Sequence, residues 1–307
     1  MRALVTLTVS ESKVLIAKAV VKHPIVTRAL ADHTVILSGG TTNAFVLSEI
    51  TGEKVDPGSF VAGIICPEGP CVSHVERKPK IAGSTRIFIK GVPQPGEVHL
   101  EDILTQLGAD DVFIKGANAL DPEGRVGVIV GHAECGHAGV GRLWTRCVSQ
   151  GIPVVVPVGL EKRIPCSIYE AASRTGIKTV QYSTGEHFGL YVPHGNVTVI
   201  TEIEAIRQLT GADPVVVSAG GVSGAEGALV FSIDGEKQQI DKMIQLVDQV
   251  KGQPPIVVAR GVCIPTPGYT GCYASQCFWK RVPNSKRPAW KRRKELEVHE
   301  GKTEQGT

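Results

Sequence analysis

The sequence predicts an α/β fold: a mostly parallel sheet with helices on both faces, and a small α+β unit towards the C-terminus. Three observations carry this expectation. Short β-rich runs alternate with helical stretches through most of the chain, the order that builds parallel sheets. Runs such as 126–131 (VGVIVG) and 154–159 (VVVPVG) are apolar without alternation, as in strands covered on both sides. From about Asn196 the order becomes βαββαβ, which suggests a split-βαβ, ferredoxin-like unit.

Each element has a local reason. Residues 3–9 read as a strand and 10–22 as a helix with Ser10 at its N-cap. Residues 34–38 (TVILS) form a short strand that runs through Gly39-Gly40-Thr41-Thr42 into a helix over 43–50. Residues 60–66 and 87–90 are strand candidates. A helix over 99–107 rests on Leu100, Ile103, Leu104 and Leu107 at helical spacing, with Gly108 after its end. Strands follow at 112–115 and 126–131, then a helix striped by Val140, Leu143, Trp144 and Cys147, then a strand at 154–159. Ser167 and Glu170 form a capping box for a helix that ends at Gly176. In the last unit 197–200 is a strand, and Thr201 and Glu204 cap a helix carrying Ile203, Ile206 and Leu209. Strands at 215–218 and 228–233 flank a Gly-rich link (219–227) that reads as a hairpin or substrate flap. Ile240, Met243, Ile244 and Val247 stripe a helix over 236–251 closed by Gly252, and 256–259 is the last strand. The pattern divides the chain into an α/β anion-binding domain (1–195), a small α+β domain (196–262) and a basic, flexible tail (263–307).

Composition narrows the classes. At 42% hydrophobic and 21% charged over 307 residues, the bulk of the chain can support a core. No apolar run approaches the roughly 20 residues of a membrane span. Ser10-Glu11-Ser12-Lys13 interrupts the region where a secretory signal needs unbroken apolar residues. The net charge of +3 is uneven: residues 280–307 hold nine Lys and Arg against four Glu, and the rest is nearly neutral. Nucleic acid is therefore not expected as a partner except through this tail, whose simplest reading is a solvated charge run. Eight Cys without a signal peptide point to a cytoplasmic protein with reduced thiols. A homo-oligomer is expected by base rate alone.

Two segments carry chemistry. Ser38-Gly39-Gly40-Thr41-Thr42 lies between a strand and a helix, where free amides, the helix dipole and Thr hydroxyls favour a phosphate or carboxylate; a tight capped turn is the plainer alternative. The segment 108–124 gathers Asp110, Asp111, Lys115, Asn118, Asp121 and Glu123 around a short strand. Paired carboxylates in unlike environments can divide into acid and base, and a lysine beside them can steady an enolate oxygen. Here the plainer alternative is a strand entry and a turn.

Both segments resemble type A ribose-5-phosphate isomerases. TVILSGGTTNAFVLSEI is similar to that family's phosphate-binding strand–loop–helix, and GADDVFIKGANALDPEG to its Gly-Ala-Asp-Glu, Ile-Lys-Gly-Gly-Gly-Ala-Leu and following Glu. The wider superfamily includes glucosamine-phosphate deaminases, CoA transferases and the regulatory subunits of translation initiation factor 2B. The resemblance spans 34 of the 307 residues. It implies an isomerase/CoA-transferase-like fold, a phosphate subsite at Gly39, Gly40, Thr41 and Thr42, with Asn118 in the substrate-binding set. It further implies Asp110 (with Asp111), Lys115 and, across a one-residue gap, Glu123 as catalytic groups. The family's second Asp is Leu107 here, its three glycines are Gly116-Ala117-Asn118, and the Asp110–Lys115 spacing is shorter.

A third segment, His132-x-x-Cys135-x-His137, holds soft ligands at close spacing, although the spacing matches no common zinc finger. The leading expectation is an enzyme acting on a small anionic metabolite, phosphorylated or CoA-linked, by an isomerase-type proton transfer without a cofactor. Two alternatives accompany it: a non-catalytic metabolite-sensing or assembly protein of the same fold, favoured by Leu107, and a metal or thiol site at His132, Cys135 and His137.

Overall fold

The computed structural model describes residues 1–67, 69–72, 85–95, 103–131, 140–258 and 277–289. The chain opens with β1 (Arg2–Leu7), α1 (Val9–Lys22), α2 (Pro24–Asp32), β2 (Thr34–Leu37) and α3 (Thr41–Thr51). β3 (Gly63–Cys66), β4 (Gly69–Val72), β5 (Arg86–Ile89), β6 (Val92–Pro93), β7 (Val112–Ile114), β8 (Ala119–Leu120) and β9 (Val126–Val130) follow. Next come α4 (Val140–Gln150), β10 (Val154–Pro157), α5 (Ile168–Ser173), β11 (Gly189–Tyr191), β12 (Val197–Ile200) and α6 (Glu202–Thr210). β13 (Asp213–Gly220), β14 (Ala228–Asp234) and α7 (Lys237–Val250) complete the regular elements.

A six-stranded sheet in the order β12-β10-β7-β2-β5-β6 forms the centre. β12, β10, β7 and β2 are parallel neighbours, with Val154 opposite Val197 and Phe113, and Val35 opposite Val112; β5 and β6 add an antiparallel edge. Alternate residues of these strands enter two cores. Val35, Leu37, Val112, Ile114, Val155 and Ile200 pack with α1, α3, α6 and α7. Ile36, Phe113, Val154 and Val156 pack with Leu143, Trp144 and Cys147 of α4. The strands read as unbroken apolar runs because both of their faces are buried.

Several elements differ from the sequence reading. Thr8, not Ser10, caps α1: its hydroxyl accepts from Glu11 N while Glu11 accepts from Thr8 N at 2.8 Å. This reciprocal pair outcompetes a lone Ser two residues later. α2 packs Ile25, Val26, Ala29 and Leu30 against the core and starts with Pro24 at its first position, signals the reading passed over. β9 is not in the main sheet; it pairs antiparallel with β8 and β11. The expected βαββαβ unit is divided: β12 joins the main sheet, and β13 and β14 form a small antiparallel sheet with β1 from the N-terminus. β1 completes that sheet because Val5 and Leu7 enter the same core as Phe231 and Ile233. Residues 256–258 form no strand, and of the helix expected over 99–107 only 103–104 are described as helical. Within the stretch read as a tail, 277–289 pack on the body. Trp279 is buried and donates from Nε1 to Thr184 O at 2.9 Å, and the buried Arg287 donates to Trp279 O and Val282 O. No helix among the described residues is long and apolar enough to cross a membrane.

Candidate functional site

The parallel strands β2, β7, β10 and β12 end along one edge, where the turns after Leu37, Ile114, Pro157 and Ile200 lie side by side. Carboxyl edges of parallel strands are where α/β folds place ligands. The Gly39–Thr42 turn is on this edge. Ser38 N donates to Ile114 O, and Gly40 N is already committed to Phe60 O at 2.8 Å. Gly40 is the N-cap of α3 and has no side chain to offer, so α3 begins without a side-chain cap. Among the described residues no acceptor meets the amides of Thr41, Thr42 and Asn43. Asn43 is fully buried; Nδ2 donates to Ser38 O at 2.6 Å and Oδ1 has no partner. Lys115, half-buried, stands at the end of the neighbouring β7.

The other residues expected to be catalytic are not gathered here. Asp110 is exposed, 4.0 Å from Arg28. Asp111 precedes β7 at the opposite end of the strand, where its carboxylate accepts from Thr34 N and Gly108 N at 2.7 Å each. Glu123 is exposed in the β8–β9 turn and pairs with Arg125. Asn118 spans that hairpin, with Oδ1 accepting from Ile129 N. Asp121 is buried beneath the same turn. Its carboxylate accepts from the amides of Glu123, Arg125 and Ile168 and from the Arg125 guanidinium. Burial works to raise its pKa, but these donors outweigh it and hold the group below the usual range. His132, Cys135 and His137 lie outside the described residues, and no cluster of three metal-ligating side chains occurs among the described ones.

The carboxyl edge instead assembles four charges that the sequence reading missed. Lys13 enters from the second turn of α1, Glu161 and Lys162 from the turn after β10, and Glu202 from the first position of α6 after β12. Lys13 Nζ stands 4.0 Å from Glu161 Oε1, with side chains 9% and 12% exposed. Both Glu161 oxygens are buried without a hydrogen-bond partner. Glu202 is fully buried; Oε2 accepts from Leu160 N at 2.9 Å and Oε1 meets no donor. Lys162 Nζ donates to Ala117 O at 2.6 Å, beyond the end of β7.

Burial sets the electrostatics. It pushes Glu202 up to about 7, aided by the charge of Glu161 and partly offset by the Leu160 and Glu202 amides and the Ser12 hydroxyl. It pushes Lys13 down to about 8, opposed by Glu161 and reinforced by Lys162. It also lowers Lys162, against the pull of Glu161 and Glu202. An acid and a base are thus poised near neutrality within one buried cluster, as proton transfer requires. One signal was available in the sequence: Glu161 and Lys162 follow the apolar run 154–159, at the end of a strand where parallel sheets place ligands. Glu202 was hidden inside the Thr201 capping box, and Lys13 in a polar stretch that reads as solvent-facing.

Neither the sequence nor the fold matches any protein-family model, curated protein or solved structure.

Proposed function

We propose that the chain is an enzyme that binds a small anionic metabolite at the carboxyl edge of its parallel strands and moves a proton next to a carbonyl. The observation that supports this most is the buried set Lys13, Glu161, Lys162 and Glu202, with Glu202 raised and Lys13 lowered toward neutrality at the fold's ligand edge. The anion, a phosphate or CoA-type diphosphate, sits on the free amides of Thr41–Asn43, where the helix dipole adds to Lys115. Glu202 and Glu161 are the proton-transfer pair in place of Asp111, whose carboxylate is occupied by amides. Lys162 stabilises negative charge that develops on the substrate oxygen.

A thermal-shift screen with inorganic phosphate, sugar phosphates and CoA esters tests the binding half. A ligand at a hundredfold excess over its Kd stabilises by about 2.7 kcal/mol. The shift should be lost in Lys115→Ala and kept in Glu202→Gln. Deuterium uptake from heavy water into the hit, followed by NMR, tests the chemistry. Uptake by the wild type and none by Glu202→Gln is expected; binding without any uptake would reduce the protein to a metabolite sensor.

A further inference from the structure

We infer that Lys13 is an imine-forming lysine for a small carbonyl compound bearing an anionic group, with Glu161 as its proton carrier. The inference rests on the reading above and names the substrate class for that site.

The two buried lysines are not equivalent. Lys162 Nζ is engaged by its 2.6 Å bond to the Ala117 carbonyl. Among the described residues Lys13 makes no hydrogen bond, and its one ion pair is with Glu161 Oε1 at 4.0 Å, beyond bonding distance. A buried lysine with neither a carbonyl nor a close carboxylate loses little by shedding its proton, and it then carries a free lone pair. Burial and Lys162 both press it in this direction.

Glu161 is placed with unusual care for a carboxylate that bonds to nothing. Its side chain folds back over Gly159, where any Cβ would fall on Oε2. From the other side the glycine-rich β13–β14 hairpin closes on it: a Cβ on Gly227 would lie 3.6 Å from Glu161 Cβ and 2.9 Å from Val9 Cγ2. Gly159 therefore makes room for a carboxylate whose oxygens find no hydrogen-bond donor among the described residues, while Gly227 lies in van der Waals reach of its stem. A structural ion pair of this burial normally has its remaining lone pairs satisfied. A carboxylate that must take and return protons needs them free.

The step needs one proton from solvent and no other reagent. Nζ attacks the carbonyl carbon, the C–N bond forms, and the C=O π pair moves to oxygen. Glu161 takes one proton from Nζ and delivers it to that oxygen, giving the carbinolamine. Glu161 then passes a solvent proton to the hydroxyl, the C–O bond breaks and water leaves, so amine, carbonyl and one proton become protonated imine and water. The protonated imine then withdraws electrons from the adjacent carbon and acidifies its proton, the reaction class proposed for this edge.

The test is reductive trapping of the full chain with sodium cyanoborohydride and pyruvate, glycolaldehyde phosphate or uncharged propionaldehyde, read by intact mass and peptide mapping. One adduct per chain on the Lys13 peptide is expected, at least tenfold faster with the anionic probes and half-maximal near pH 8. It should be absent in Lys13→Arg and slowed at least tenfold in Glu161→Gln, with the site unchanged. Labelling at Lys162, or scattered over exposed lysines of the wild type, overturns the inference whether or not the variants fold. If phosphate stabilises the protein but no Lys13 adduct forms, the imine is wrong and the anion site stands. A Lys13 adduct without any phosphate shift leaves the imine and removes the proposed anion cradle.

Discussion

Two regions carry comparable sets of carboxylates and basic groups and use them in opposite ways. Around β7–β9, Asp111 and Asp121 are buried and saturated: Asp111 by two backbone amides, Asp121 by three amides and Arg125. At the carboxyl edge, both Glu161 oxygens and one Glu202 oxygen are buried without a hydrogen-bond partner. Saturated carboxylates tie segments together, as Glu11 also does by joining Thr8 N, Lys251 and Gly252 N. Unsaturated ones stay available for protons and ligands, at an energetic cost to the fold.

The largest expected effect breaks the saturated side. Asp121→Ala strands three backbone amides in the interior and should destabilise the protein by about 3 kcal/mol, read as a lower urea midpoint with m unchanged. A loss under about 1 kcal/mol would mean that water replaces the carboxylate and that the contrast between the regions is false.

The unsaturated side should behave oppositely. Glu202→Gln removes a carboxylate that is costly to ionise, so above pH 7 it should stabilise by about 1 kcal/mol while abolishing proton transfer. The pH profile sharpens this. The folded chain keeps the Glu202 proton up to about pH 7, whereas the unfolded chain releases it near 4.5, so this group makes stability fall as pH rises between those values. Lys13 loses its proton near 8 when folded and near 10.5 when unfolded, so its contribution makes stability rise across that window. Urea midpoints from pH 4 to 10 should show the first limb flattened in Glu202→Gln and the second in Lys13→Met.

The smallest effect tests whether the α1 start, which delivers Lys13, depends on local capping. Thr8→Ala removes half of the capping box and should cost about 1 kcal/mol. Glu11 retains Lys251 and Gly252 N, so Lys13 trapping should persist.

What was legible in the sequence was local. β2, β7, β10 and β12 were recognisable from short apolar runs, and α6 from Thr201, Glu204 and the left-handed Gly211 that ends it, because each signal lies within one turn or one strand. The Gly39–Thr42 turn was legible for the same reason. The roles of the carboxylates were not: Asp111 meets Thr34 across 77 positions, and Glu202 meets Leu160 across 42. Asp110, Asp111 and Lys115 are near neighbours in the chain, but an extended strand separates Asp111 from Lys115 by its length, so the group suggested by proximity is split between opposite ends of β7.

By itself, then, the sequence determined the central strands β2, β7, β10 and β12, the start and stop of α6, and that those strands are buried on both faces, since these follow from periodicity and caps. Only the tertiary structure decided which charged groups meet, because parallel strands bring distant turns to one edge, and the donors that a buried carboxylate meets, not its residue type, separate a saturated carboxylate from an unsaturated one.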